Sequence, residues 1–355
     1  MRIVFRVDSS ITIGAGHLSR CMTLAEELIA RSASVQFICR EHKGNLIALL
    51  ENKGIATAVL PMMKNACNKN GLHDEWLGAT EEQDSQDTLS IIGETSPDWL
   101  IIDHYSVSRK WQIKLKEQVK NILVIDDLID KPQYCDALLN QNFIIDGQLK
   151  YKDLVTKSCD LLLGPDYALL KPEYLATRNA LKEKNNSVER VLIFFTAGDD
   201  AGETLKAMRG INRCENVHHV DVVVGLNNQY KTEIENYCAE NNWLYHCQID
   251  YMHDLIAKAD LIIGGCGAST WERCALGAAA VCVVLSENQR TVAEELRNKE
   301  VLRCLGWFDA VTADSYYQAV NTMCITELKK MSKNSLQLVD GKGTSRVGDY
   351  LFSKR

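Results

Sequence analysis

Three short stretches of this chain carry side chains able to do chemistry, and the first centres on one histidine. After the apolar run Ile3, Val4, Phe5 and Val7 the chain reads Asp8-Ser9-Ser10-Ile11-Thr12-Ile13-Gly14-Ala15-Gly16-His17. Leu18, Cys21, Leu24, Ala25 and Leu28 then recur at helical spacing, which predicts a helix with one buried face beginning at His17. Glycines let backbone N–H groups approach a ligand, a helix start adds partial positive charge, and an imidazole exchanges protons near neutral pH. Together they predict a general base on an anion-binding loop. In the alternative reading Gly14 and Gly16 only shape a tight strand-to-helix turn, and His17 caps or packs.

The second stretch follows the apolar strand Leu261-Ile262-Ile263 and reads Gly264-Gly265-Cys266-Gly267-Ala268-Ser269-Thr270-Trp271-Glu272-Arg273. Three glycines before a helix N-terminus make a cradle of N–H donors that suits a pyrophosphate. No Lys-Ser or Lys-Thr follows the glycines, so the loop is not of the Walker type. Glu272 has two readings: it binds ribose hydroxyls, or it closes a capping box with Ser269. In the third stretch, Leu285-Ser286-Glu287-Asn288-Gln289, amides at the end of an apolar strand either read a sugar or N-acyl group or cap the next helix.

Strand ends also place Asp103-His104-Tyr105 and Asp126-Asp127 at one rim. These carboxylates are potential metal ligands, but the chain has no Asp-x-Asp pair of the kind that holds a nucleotide sugar's divalent ion. A dinucleotide fingerprint is disfavoured too. Gly14 and Gly16 follow the first strand and Glu41 the second, yet Ser19 stands where the third glycine belongs and the loop from Asp8 is long and polar.

The elements that must position these residues alternate between strand and helix. Strands are expected near Ile3–Val7, Val35–Cys39, Ile55–Val59, Leu100–Asp103 and Ile122–Ile125, with helices near 17–31, 45–53, 80–95 and 108–118. A polar stretch at 181–188 reads as a linker. The pattern then restarts with strands near Val191–Phe195, Val220–Val224, Leu244–Cys247, Leu261–Ile263 and Ala280–Val284. With 355 residues, this predicts an α/β protein of two doubly wound domains facing one another, the ligand between them at the carboxyl ends of the strands. The expected boundaries are 1–180 and 189–335, with a C-terminal helical segment at 336–355.

Composition narrows the partners. Charged residues make up 25% and hydrophobic ones 46%, as in an ordinary globular enzyme, and the net charge of −7 without basic runs argues against nucleic acid. The longest apolar stretch, Leu276 to Leu285, is broken by Gly277 and falls short of the roughly 20 residues a membrane span needs. Charges at Arg2, Arg6 and Asp8 argue against a signal peptide, and thirteen cysteines without a C-x-x-C read as buried hydrophobes of a cytoplasmic protein.

Taken in order, the motifs resemble one family, the UDP-2,4-diacetamido-2,4,6-trideoxy-β-L-altropyranose hydrolases of pseudaminic acid biosynthesis. The resemblance rests on Arg6-x-Asp8-Ser9-Ser10-x-x-Ile13-Gly14-x-Gly16-His17-x-x-Arg20-Cys21, Trp76-Leu77-Gly78 with Gln83-Asp84, and Asp103-His104-Tyr105. It continues through Ile125-Asp126-Asp127-Leu128, Gly164-Pro165-x-Tyr167-Ala168-Leu169-Leu170, Ser269-x-Trp271-Glu272-Arg273-Cys274, Glu287-Asn288-Gln289 and Asp340-Gly341-x-Gly343-x-x-Arg346-Val347. The family is similar to two-domain inverting glycosyltransferases, with water in place of the acceptor.

The resemblance implies that His17 activates a water for inverting attack at the anomeric carbon. It implies a UDP site in the second domain on Gly264, Gly265, Gly267, Ser269, Thr270 and Glu272. Tyr105, Asn288 and Gln289 are moved toward the sugar, and Asp8, Ser9, Gly14, Gly16 and Arg20 toward the substrate. Neither metal nor cofactor is implied. A glycosyltransferase with another acceptor and a non-catalytic nucleotide-sugar binding protein are the competing readings. One departure stands out: Phe195-Thr196-Ala197-Gly198-Asp199-Asp200 replaces a Phe-Gly-Gly-x-Asp-Pro turn, and the β-carbons of Thr196 and Ala197 would hold a ligand off the backbone.

Fixed N–H dipoles can carry leaving-group charge without an ion. Release of UDP from the UDP-sugar is therefore expected to survive exhaustive chelation. Loss of turnover in EDTA, restored by magnesium or manganese, would show that a carboxylate cluster holds a required ion.

Overall fold

The computed structural model describes residues 1–63, 74–93, 96–182, 187–195 and 201–354. The chain forms two units, one of residues 1–169 with 342–355 and one of residues 170–341.

The sheet of the first unit contains β1 (Arg2–Val7), β2 (Ser34–Arg40), β3 (Ala56–Leu60), β4 (Trp99–Asp103), β5 (Asn121–Ile125), β6 (Ala137–Asn140) and β7 (Asp160–Leu163). All pairings are parallel, in the order β3-β2-β1-β4-β5-β6-β7. Side chains alternate across a strand, so a sheet covered on both faces needs apolar residues at nearly every position. β1, β4 and β5 meet that demand. Phe5, Val7, Ile101 and Leu123 enter one core, and Val4, Leu100, Ile102 and Ile122 the other.

Helix Gly16–Ala30 buries Leu18, Cys21, Leu24, Ala25 and Leu28 in the first of these cores, the stripe its spacing predicts. Val347 and Leu351 of helix Gly343–Ser353 complete that core, and Arg31 ties the two helices through Asp349 at 2.6 Å and the Ser345 hydroxyl at 2.8 Å. The C-terminal region is therefore not one separate segment. Helix Ile325–Leu338 belongs to the second unit and helix Gly343–Ser353 to the first. The crossing into the second unit falls after Leu169, well before the polar stretch read as a linker, of which 183–186 lie outside the described residues.

The second unit has β8 (Arg190–Phe194), β9 (His219–Val224), β10 (Leu244–Cys247), β11 (Leu261–Gly265), β12 (Ala279–Val284) and β13 (Arg303–Trp307), parallel in the order β10-β9-β8-β11-β12-β13. Three strands escape the sequence pattern. β6 and β7 are only four residues each, and edge strand β13 is half-buried with Arg303 and Gly306 inside it.

In each sheet the chain starts in the middle, builds outward, then returns to the other side of its first strand. The points of reversal are β1/β4 and β8/β11, where the diverging connections leave a crevice at the carboxyl ends. The His17 loop follows β1 and the glycine loop follows β11, so both candidate loops sit at a switch point.

β11 depends on a glycine for its spacing. A Cβ on Gly264 would lie 2.1 Å from the Phe194 carbonyl oxygen of β8 and 3.0 Å from Arg273 Nη1, whereas one on Gly267 meets nothing closer than 3.5 Å. Gly264→Ala should destabilise the fold by about 1–3 kcal/mol, the usual cost of overpacking, and Gly267→Ala by far less. Urea unfolding measures both; equal stability of the two variants would refute this account of the strand spacing.

Candidate active site

Where β1 ends, Ser10 folds the chain into a turn. Its hydroxyl accepts N–H bonds from Thr12 (3.1 Å) and Ile13 (2.9 Å), and its carbonyl accepts from Gly14 at 2.9 Å. Gly14 takes φ +81°, which a side chain would strain. The helix then starts at Gly16 without a side-chain cap, leaving N–H donors of its first turn at the exposed end, with His17 as the second helical residue.

His17 is held from behind. Its Nδ1 lies 2.6 Å from Asp103 Oδ1 at the tip of β4, and Arg20, one turn along the helix, clamps the same carboxylate through Nε (2.6 Å) and Nη2 (2.7 Å). Burial opposes ionisation of Asp103, but the Arg20 guanidinium and the His17 imidazole hold its carboxyl well below the usual range. An ionised Asp103 accepts the proton-bearing Nδ1 and leaves Nε2 with the lone pair. No described residue bonds Nε2, and the side chain keeps 11% of its surface exposed. Tyr105 and Trp76 stack at 5.5 Å and both set ring edges against the imidazole, Tyr105 at 4.6 Å and Trp76 at 6.1 Å.

Several residues expected at the substrate also make bonds within the protein. Arg20 spends Nη1 on Asp127 (2.7 Å), which also accepts from the Tyr105 hydroxyl (2.8 Å) and from Asn142 (2.9 Å). Asp126 accepts from the Tyr151 hydroxyl and the Leu128 and Ile129 N–H groups, so the lone pairs of this carboxylate pair point to protein donors. Among the described residues no group of three or more His, Cys, Asp or Glu side chains is arranged to hold a metal ion.

Asp8 and Ser9 are buried and brace the base of the loop. Asp8 accepts from Arg6 (2.7 Å), the Arg40 N–H (2.6 Å) and His104 Nε2 (3.1 Å); the Ser9 hydroxyl accepts from the Leu46 N–H at 2.9 Å. Ser106 donates its N–H to His104 Nδ1 at 3.1 Å, which fixes the tautomer, and burial pushes that imidazole's pKa down. Arg6 and Arg40 share Asp84, each at 2.7 Å, and Trp111 Nε1 donates to it at 3.0 Å. Arg40 escapes the sequence reading and Asp84 enters it only within the Gln83-Asp84 motif, since Arg6 and Arg40 lie 78 and 44 positions from Asp84.

In the second unit, Gly264 and Gly265 are strand residues buried in β11, so the loop proper is Cys266-Gly267-Ala268. Helix Ser269–Ala275 is capped by Ala268 with no side-chain bond. Ser269 is thus the first helical residue, not the cap, and the capping-box reading of Glu272 does not hold. Glu272 instead has the Tyr174 hydroxyl as its hydrogen-bonding neighbour, and burial pushes its carboxyl above the usual range. Thr270 is buried beneath the loop, where Arg273 Nη2 bonds its hydroxyl and the Gly265 carbonyl, both at 2.8 Å. That guanidinium clasps the two ends of the loop together.

Gln289 joins the neighbouring strand end to this loop: its Oε1 accepts the Leu285 N–H at 3.0 Å and its Nε2 lies 3.5 Å from where a Gly267 Cβ would be. Asn288 is exposed and takes a 2.5 Å bond from the Ser286 hydroxyl. No side-chain cap bond forms at the start of helix Glu287–Asn298. Thr196 to Asp200, the departure from the family turn, lie outside the described residues.

Comparison with known proteins bears on the family and the fold. The sequence model of the glycosyltransferase family 28 C-terminal domain matches residues 192–340. UDP-2,4-diacetamido-2,4,6-trideoxy-beta-L-altropyranose hydrolase of Campylobacter jejuni is 33% identical over 186 residues, 52% of this chain and 57% of that protein. An uncharacterized protein of Methanocaldococcus jannaschii is 24% identical over 308 residues, 84% of this chain and 59% of that one. The chain spans a little under three fifths of the length of these two relatives. The crystal structure of MurG from Acinetobacter baumannii shares the fold, with a TM-score of 0.65 at 15% identity over 99% of this chain and 100% of that one. No helix among the described residues is long and apolar enough to cross a membrane. By these matches the chain is similar over about half its length to a UDP-2,4-diacetamido-2,4,6-trideoxy-β-L-altropyranose hydrolase, carries a match to the glycosyltransferase family 28 C-terminal domain over 192–340, and shares the two-domain doubly wound fold of MurG.

Proposed function

We propose that the protein hydrolyses a UDP-linked sugar at the anomeric carbon, with UDP-2,4-diacetamido-2,4,6-trideoxy-β-L-altropyranose as the substrate. The observation that carries this reading is the 2.6 Å pairing of His17 Nδ1 with the buried Asp103 carboxylate at the β1/β4 switch point, which leaves Nε2 without a partner among the described residues. In the proposed step Nε2 takes a proton from water as the water oxygen bonds to the anomeric carbon. The bond from that carbon to the β-phosphate oxygen breaks on the opposite face, so the free sugar leaves with inverted configuration. Asp103 does not take up the proton; it orients the ring and stabilises the imidazolium.

UDP is assigned to the second unit, whose loop Cys266 to Ser269 presents helix-start N–H groups to phosphate. Charge that develops on the leaving phosphate meets fixed dipoles there. The name of the Campylobacter jejuni relative supports hydrolysis, whereas the family 28 match over 192–340 favours transfer to another acceptor. Supplying the UDP-sugar with no acceptor separates them. Rapid UDP release supports hydrolysis; release only when an acceptor is added supports transfer.

His17→Ala should lower turnover about 10²–10⁴-fold, the range for loss of a general base, with Asp103→Asn changing it in the same direction. The affinity for UDP should not move in the His17 variant. Wild-type turnover of His17→Ala would exclude it as the base.

Glu272→Gln should weaken UDP binding by about 1–3 kcal/mol through loss of a charge-assisted hydrogen bond to the ribose, with little change in Tm. Calorimetric titration decides the matter, and an unchanged dissociation constant would leave the nucleotide to the loop alone.

A further inference from the structure

Three cysteines converge where β11 runs into the loop, within β12 and near the start of β13. Cys282 and Cys304 are register partners on adjacent strands, and Cys266 follows the last residue of β11. Cys266 and Cys282 are buried; Cys304 is half-buried. Each outer thiol has a cationic or N–H donor of its own. Arg273 Nη2 lies 3.4 Å from Cys282 Sγ, and the Gly306 N–H lies 3.4 Å from Cys304 Sγ. Arg273 is buried, and among the described residues it has no carboxylate partner and its Nη1 has no hydrogen bond.

Cys304 also opens onto a pocket of about 180 Å³ whose wall includes Val284, Arg290, Arg297, Gly306 and Trp307. Arg290 lies over the Trp307 ring at 4.9 Å, so one wall of the pocket is a guanidinium stacked on an aromatic face. A small polar molecule entering the pocket meets the Cys304 sulfur in a wall that also holds Arg290, Arg297 and Glu294.

We propose that Cys304 is a thiol modification site that takes hydroperoxides and thiol-directed electrophiles. This goes beyond the nucleotide-sugar reading and does not depend on it. In the oxidative step the Cys304 thiolate sulfur attacks one peroxide oxygen, the O–O bond breaks, and hydroxide leaves and is protonated to water. The peroxide is reduced by two electrons and Cys304 becomes a sulfenic acid.

The groups around the sulfur favour this chemistry. The Cys266 thiol, the Gly306 N–H and the Arg297 guanidinium pull the Cys304 thiol down to about 6, against burial and the Glu294 carboxylate. Cys282 on β12 and Arg290 on the pocket wall complete the set of ionisable neighbours. A thiol of that acidity is ionised at neutral pH, and the thiolate is the nucleophile.

The test uses the intact chain and an internal competitor, since Cys324 is fully at the surface. With less than one equivalent of iodoacetamide at pH 7, peptide mass mapping should find Cys304 labelled about tenfold ahead of Cys324. One equivalent of hydrogen peroxide followed by dimedone should place the adduct on Cys304. Arg297→Ala should slow labelling of Cys304 several-fold and leave Cys324 unchanged. Labelling of Cys324 ahead of Cys304, a dimedone adduct confined to other cysteines, or an Arg297→Ala variant with unaltered Cys304 reactivity would each overturn the proposal.

Discussion

Everything the first unit offers to chemistry hangs on one buried carboxylate. Asp103 ends β4 with 1% of its surface exposed, a position where an isolated charge would cost far more than a protein's net stability. It is tolerable because Arg20 meets both oxygens from the adjacent helix and His17 meets one of them. The same three groups thus solve a solvation problem and fix an imidazole's orientation. Removing either partner would leave the carboxylate under-compensated, so the geometry of the base and the integrity of the switch point are one constraint.

A second charged cluster lies beside the first and does a different task. Arg6, Asp8, Asp84 and Arg40 are all buried, and Asp8 also accepts a hydrogen bond from the neutral His104. These bonds tie the ends of β1 and β2 to helix Glu81–Ile92. Buried charge pairs seldom add much to stability when compared with apolar packing, but they fix a unique arrangement of the groups they join. Here that arrangement is the base of the loop from Asp8 to Gly16.

Much of this was legible from residue types. The apolar strands β1, β4, β5, β11 and β12 and the stripe of helix Gly16–Ala30 follow from periodicity alone, and their alternation gives two doubly wound units. The loops at Gly14–His17 and Gly264–Ser269 were visible because glycine and a helix start have few other reasons to coincide. What stayed hidden was pairing over distance. Nothing local says that Arg20 faces Asp103 rather than a phosphate, that Asp8 is turned inward, or that Gly264 is a packing residue under the Phe194 carbonyl. Ser269-x-x-Glu272 fits a capping box by spacing, yet the helix begins one residue earlier and Tyr174 takes the carboxylate's attention. Strands β6, β7 and β13 escape the pattern: β6 and β7 are four residues each, and edge strand β13 is half-buried with Arg303 and Gly306 inside it.

The return of helix Gly343–Ser353 to the first unit sets an order on the making of the protein. Trp99 Nε1 donates to the Leu351 carbonyl at 3.2 Å, and Gly343 fits so closely on Ala168 that a Cβ would lie 2.2 Å from its carbonyl oxygen. During synthesis the first 169 residues therefore emerge with one face of their sheet unfinished. The contiguous second unit can complete its own core before the ribosome delivers the last helix. The first unit thus completes its core only once residues 343–353 are made, and until then Trp99 lacks its Leu351 partner.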